Sequence, residues 1–158
     1  VNECKDALKI LQRRFNISTV NDINNIMLQE LKNESNILYK RLRHVIQENH
    51  RVRDMKNQLQ NGTPDKMGVI LRESHESLRL LYEVSCEQID YIIQLAEDFN
   101  GWHGGRIMGG GFGGCSIHFV SDHVLKDFHG NITTNYKKKY NIIPDIKNIT
   151  FPGGVQYL

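Results

Sequence analysis

The stretch GGRIMGGGFGGCSIHFVS, Gly104 to Ser121, constrains the fold of this chain more than any other. Seven of the eleven residues from Gly104 to Gly114 are glycine, and a run with period-two character, Cys115 to Val120, follows at once. Glycine loses more backbone freedom on folding than any other residue, so a structure that orders so many must use them. Gly109, Gly111 and Gly114 satisfy G-x-G-x-x-G, but a dinucleotide loop opens a helix, and here a strand pattern follows. A Walker loop needs a Lys where Cys115 stands. A strand, glycine loop, strand arrangement remains. Protein kinases place such a hairpin over ATP, yet their catalytic-loop and magnesium-binding sequences are missing from this chain. Two uses stay open: backbone packing with positive φ angles, or a nest of N–H groups close to phosphate oxygens.

The first two-thirds of the chain predicts helices. Apolar residues at Leu38, Leu42, Val45, Ile46, Val52 and Leu59 mark one face of a long amphipathic helix. Arg41, Arg43, Glu48 and Arg51 are expected to face water, and Asn61-Gly62 ends the helix. Thr63, Pro64 and Asp65 suit the cap and first turn of the next, whose stripe is Met67, Ile70, Leu71, Ser74, Leu78 and Leu81. Ser74 is a polar break in that stripe. Either its hydroxyl bonds to the preceding turn, or it contacts a site or another domain. Ser85-Cys86-Glu87-Gln88 has the capping-box form, and Ile89, Ile92, Ile93, Ala96 and Phe99 give a third helix its buried face up to Asn100-Gly101.

Beyond Gly101 the pattern predicts strands at Arg106–Met108 and Cys115–Val120, a helix from Asp122 to Tyr140, and a last strand near Asn148–Phe151. Helices first, then strands around one helix, give an α+β domain: an antiparallel β-sheet covered by helices on one face. A length of 158 residues fits one such domain. A net charge of +2 gives no case for nucleic acid or an anionic membrane, and Lys137-Lys138-Lys139 reads as a solvated helix face. Cys4, Cys86 and Cys115 are odd in number and far apart, which suits a reducing, cytoplasmic setting and gives no metal-ligand spacing. His75-Glu76 lacks the second His of a zinc-protease helix, so no metal site is expected. No apolar run approaches the ~20 residues that span a bilayer, and no signal peptide is visible. The chain opens on Val1 within a helical pattern, as a fragment of a longer chain would.

GGRIMGGGFGGCSIHFV resembles the third signature motif of galactokinases, usually Gly-Ala-Arg-Met-Thr-Gly-Gly-Gly-Phe-Gly-Gly-Cys. Three more stretches agree in the same order. NECKDAL (Asn2 to Leu8) is similar to the family's Arg-x-x-Glu-Cys-x-x-Ala helix, and YKRLRHVIQEN (Tyr39 to Asn49) to its Arg-Ala-Arg-His-Val helix. MGVILRESHESLRLLYEVSCEQID (Met67 to Asp90) resembles its Glu-Ser-His-x-Ser-Leu-Arg and Tyr-Glu-Val-Ser-Cys segments. The resemblance covers nearly the whole chain.

It implies that residues 1–158 form a single GHMP kinase C-terminal domain, a ferredoxin-like α+β fold, without the N-terminal catalytic half. It also implies ATP-dependent phosphorylation of galactose at its anomeric hydroxyl. The base aspartate, the transition-state arginine, most sugar contacts and the main holders of ATP and Mg2+ are expected in the N-terminal domain. No catalytic residue is then expected here. Gly109, Gly110, Gly111, Phe112, Gly113 and Gly114 would wall the ATP and phosphate site, pressed against that domain. Arg106 would anchor the strand before the loop, with Ser74 and His75 in support. The expected partners are the chain's own N-terminal domain, galactose and ATP. Gly111→Val is expected to lower turnover sharply.

Two departures from the family pattern stand out. Arg106-Ile107-Met108 replaces Arg-Met-Thr, so a hydroxyl beside the first loop glycine becomes a thioether that donates no hydrogen bond. Pro152-Gly153-Gly154 replaces Pro-Ser-x-Gly. Two other readings therefore accompany the kinase: a non-catalytic sensor that binds ATP and galactose, or a kinase for a related sugar such as N-acetylgalactosamine.

Overall fold

A computed structural model describes residues 2–149. Helix α1 (Asn2–Arg14), α2 (Asn25–Glu34) and the first half of α3 (Asn36–Asn61) pack around Ala7, Leu11, Leu28, Leu31 and Leu42. Their starts are fixed locally. The Asn24 side chain accepts from the Met27 N–H at 3.0 Å, and Ser35 accepts from the Leu38 N–H at 3.4 Å. Leu11, Leu31 and Leu42 are fully buried, each contributing about 1.5–3 kcal/mol.

Helix α3 departs from its expected faces in two ways. Arg41 is buried, not solvated. Its guanidinium donates to Glu3 at 2.7 Å, to Glu83 at 2.9 Å and to the Leu81 carbonyl at 2.6 Å. Glu48 and Arg51 are also largely covered, with side-chain exposures of 22% and 11%. A charge satisfied on several sides can be buried, and hydropathy spacing does not register that. Conversely, Val52 and Leu59 are exposed, at 65% and 70%. With Ile70 and Leu71 they line an open groove of about 380 Å³ between α3 and α4, whose polar end is Glu48, Ser74 and Arg106.

Helix α4 (Pro64–Ser77) follows at once. Thr63 occupies the cap position, but its hydroxyl makes no capping bond, so Pro64 at the first helical position marks the start. The helix then widens into a π-turn, Leu78–Tyr82, which ends at Glu83 in the left-handed region. Helix α5 (Glu87–Glu97) begins after Cys86, without a capping side chain; the Ser85 hydroxyl instead reaches the Asp90 carboxylate.

Strands β1 (Trp102–Met108) and β2 (Cys115–Val120) pair antiparallel, Gly105 opposite His118 and Met108 opposite Cys115. A bulge between Trp102 and Gly104 changes the side-chain alternation, so Trp102 and Ile107 enter the same core. There they meet Ile89, Ile93 and Ala96 of α5 and Phe128 and Ile132 of α6 (Leu125–Tyr140). Thus α5 and α6 cover one face of the strand pair, as expected for the α+β class. Helix α4 lies against β1 with backbone on backbone: a Cβ built on Gly68 would sit 1.9 Å from the His103 carbonyl oxygen. Lys137, Lys138 and Lys139 are exposed on α6. The last predicted strand, Asn148–Phe151, is not formed at Asn148 and Ile149, and its remainder lies outside the described residues.

Candidate active-site loop and its supports

Two neighbouring residues of α4 take hold of β1. The Ser74 hydroxyl faces the Glu48 carboxylate at 2.8 and 3.0 Å, donating its one hydrogen there, and accepts from Arg106 Nη1 at 2.8 Å. Arg106 also approaches Glu48 at 3.3 Å, and Arg51 bonds the other carboxylate oxygen at 3.2 Å. Ser74 therefore joins α3, α4 and β1, rather than bonding to its own preceding turn. Burial would raise the Glu48 pKa. The bonds from Ser74 and Arg51, with the charges of Arg51 and Arg106, outweigh it and hold the pKa below the ordinary value.

His75 grips the next residue of the strand. Its Nδ1 accepts from the Ile107 N–H at 3.4 Å, and its Nε2 lies 3.3 Å from Asp90 of α5. Burial lowers the His75 pKa despite Asp90 and Glu76, so the ring is neutral, donating from Nε2 and accepting at Nδ1. His118 on β2 is still more strongly held: lack of solvent, then the proximity of His75, lowers its pKa to about 4. Trp102 donates to its Nδ1 at 3.1 Å and its Nε2 meets Ser116 Oγ at 2.8 Å, a pattern that needs the neutral ring.

Ser74, His75 and Arg106 thus meet, but at β1 and not at the loop itself. The loop, Gly109 to Gly114, is held from another place. Phe112 N–H donates to the Val84 carbonyl, just past the π-turn, at 2.6 Å. A Cβ on Gly111 would lie 2.5 Å from that same oxygen and 2.6 Å from Val84 Cβ. Gly111 is needed by this chain's own packing. The other four loop glycines are different: a Cβ on Gly109, Gly110, Gly113 or Gly114 would meet nothing within 4 Å. Gly110 also lies outside the left-handed range that explains its neighbours. Phe112 is left-handed, with φ 60°, and 78% exposed; such a conformation costs a non-glycine residue about 1–3 kcal/mol. Met108, at the loop's base, is exposed beside Cys115.

Glu48, Arg51, Asp90 and Val84 were not legible as parts of this arrangement. The polar break at Ser74 signalled a buried partner, but nothing in the spacing says that it stands on α3. Among the described residues, no group of three or more His, Cys, Asp or Glu is placed to hold a metal ion. Around the loop the described residues leave an uncovered wall, bare of side chains at four positions, that a phosphate-bearing group could approach.

The family model for the GHMP kinases C terminal matches residues 55–136. A galactokinase of Thermotoga neapolitana is 34% identical over 154 residues, which is 98% of this chain and 42% of that protein. A galactokinase of Bacillus subtilis is 33% identical over 147 residues, 90% of this chain and 37% of the relative. The crystal structure of Lactococcus lactis galactokinase complexed with galactose matches with a TM-score of 0.81 at 30% identity, covering 90% of this chain and 37% of that one. The chain thus spans about two-fifths of the curated relatives it matches. Taken with the α+β architecture and the glycine hairpin, these matches show that the chain belongs to the GHMP kinase C-terminal family, where its relatives are galactokinases.

Proposed function

We propose that residues 1–158 form the C-terminal domain of a longer, cytoplasmic galactokinase, and that the loop Gly109–Gly114 closes the phosphate side of its active site. When bound, ATP supplies the phosphoryl group for the anomeric hydroxyl of galactose. Transfer of that kind depends on positioning and charge stabilisation more than on covalent work by the protein. This chain's share of that work is positioning. Ser74, Glu48 and Arg106 fix the side chain before the loop, His75 and Asp90 fix the next backbone N–H, and Val84 sets the height of the tip. Mg2+ and the base are assigned to the remainder of the protein.

The observation that carries the reading is the uncovered loop. A Cβ at four of its glycines would meet nothing in this chain, and positive φ accounts for Gly109, Gly113 and Gly114 but not for Gly110, so the reason for a glycine at 110 is sought outside the described residues. Met108 favours a second reading, a sensor that binds both ligands without turnover, because its thioether stands where the family's hydroxyl does.

The test is an assay of ATP-dependent galactose phosphorylation on the longer protein, with the 158-residue chain as control. Turnover by the longer protein and none by the chain supports the split site. Turnover by the chain alone contradicts it. Binding of galactose and ATP to the longer protein without turnover selects the sensor, and turnover of N-acetylgalactosamine in place of galactose reassigns the sugar.

A further inference from the structure

We infer that Phe112 is a contact residue, an apolar anchor that the loop presents to a recess in the part of the protein outside this chain. The inference rests on the proposed division of the active site. Phe112 breaks two ordinary rules at once. It holds a left-handed backbone, with φ 60°, between Gly111 at 86° and Gly113 at 128°. Glycine at position 112 would take that conformation without strain, as its neighbours do. Among the described residues, moreover, no large apolar side chain is more exposed than this one, at 78%.

Neither feature helps this chain. The ring is left mostly to solvent, while the backbone beneath it is pinned by the Val84 bond and by Gly111 packed on Val84. The strain is therefore imposed by the packing of the loop on the segment after α4, and its product is a ring aimed outward from a surface otherwise free of side chains. An aromatic side chain offers a large contact area for two rotatable bonds, which makes it an economical anchor in a closing interface. The occupant opposite it is an apolar recess of the missing domain and not the nucleotide. The glycines on either side leave backbone, not ring, free to approach a polyphosphate.

The experiment compares Phe112→Gly and Phe112→Leu in two settings. In the 158-residue chain, Phe112→Gly relieves strain and gives up little burial, so its thermal midpoint rises by roughly 2–4 °C. In the longer protein, Phe112→Gly lowers kcat by about tenfold or more, with KM for ATP nearly unchanged, and Phe112→Leu restores part of the loss. A lowered midpoint in the short chain overturns the inference, because the ring would then pack within it. Unchanged turnover, or a rise confined to KM for ATP, overturns it as well. If the longer wild-type protein phosphorylates no galactose, the proposed function fails and the inference is read from stability alone. A loss of midpoint in the longer protein against a gain in the short chain then supports it, and a gain in both overturns it.

Discussion

His118 carries the clearest pH dependence at the scale of single residues. Its folded pKa of about 4 lies below the ~6.5 of a free histidine, and burial lowers His44 and His75 as well. Between those values the unfolded chain binds protons that the folded chain refuses, so stability rises with pH across the window. The contribution is complete above pH ~6.5 and falls away toward pH 4. The lowered carboxyls, Glu48 and Glu83, act later: their stabilisation holds above ~4.5 and is lost only as pH falls through their folded values. Urea denaturation at pH 7.5, 6 and 5 should therefore show a loss on the order of 2 kcal/mol by pH 5. A flat profile to pH 5 would show that the three rings protonate freely in the fold. At this scale the sequence singled out Arg106, Ser74 and His75, which meet at β1, but not Glu48 or Asp90. A buried carboxylate paired on all sides has the same hydropathy as a solvated one, so spacing put Glu48 on the wrong face.

Between elements, the tightest joint is that of α4 with β1. Glycine inside a helix ordinarily costs about 1 kcal/mol against alanine, so Gly68→Ala would be expected to stabilise α4. Here the sign is reversed, because the new Cβ would stand 1.9 Å from the His103 carbonyl oxygen, and Gly104 meets Gly68 in the same way from the strand side. Gly68→Ala should cost more than about 2 kcal/mol in denaturant unfolding; a gain would mean that α4 and β1 do not touch as described. The helices from α3 onward and both paired strands were legible from period and punctuation, although β1 begins at Trp102 rather than Arg106 and α6 at Leu125 rather than Asp122; α6 ends at Tyr140 as expected. Val52 and Leu59 misled, since their spacing fits a buried stripe while both side chains stand largely exposed at the groove beside α4. The π-turn was not legible either. The Met67–Leu81 stripe reads as one helix, and only the packing of Arg41 on Leu81 and Glu83 shows where it widens.

At the scale of the whole molecule, the described residues form two hydrophobic clusters, one within α1, α2 and α3 and one joining α5, α6 and β1. The family match, residues 55–136, falls on the second, whereas the galactokinase relatives align across both. The strand pair that carries the glycine loop packs into the second cluster through Trp102, Ile107 and Val120, and α4 ties β1 to α3 through Glu48. Fold and family were therefore legible from motif order. The division of labour among the glycines was not, because a run of identical residues gives no sign of which one packs and which one is bare. Gly111→Val, the substitution suggested by the sequence, would strike Val84 and mix a packing defect with any loss of function. Gly110 separates the two. It has neither a positive φ nor a neighbour within 4 Å, so Gly110→Val should leave the melting temperature of the 158-residue chain unchanged. The most direct test of the account is kcat for galactose phosphorylation in the longer protein carrying Gly110→Val. A fall of about tenfold or more is predicted, since a misplacement of about 1 Å at such a site can cost a hundredfold. Unchanged turnover would contradict the assignment of this loop to the active-site wall.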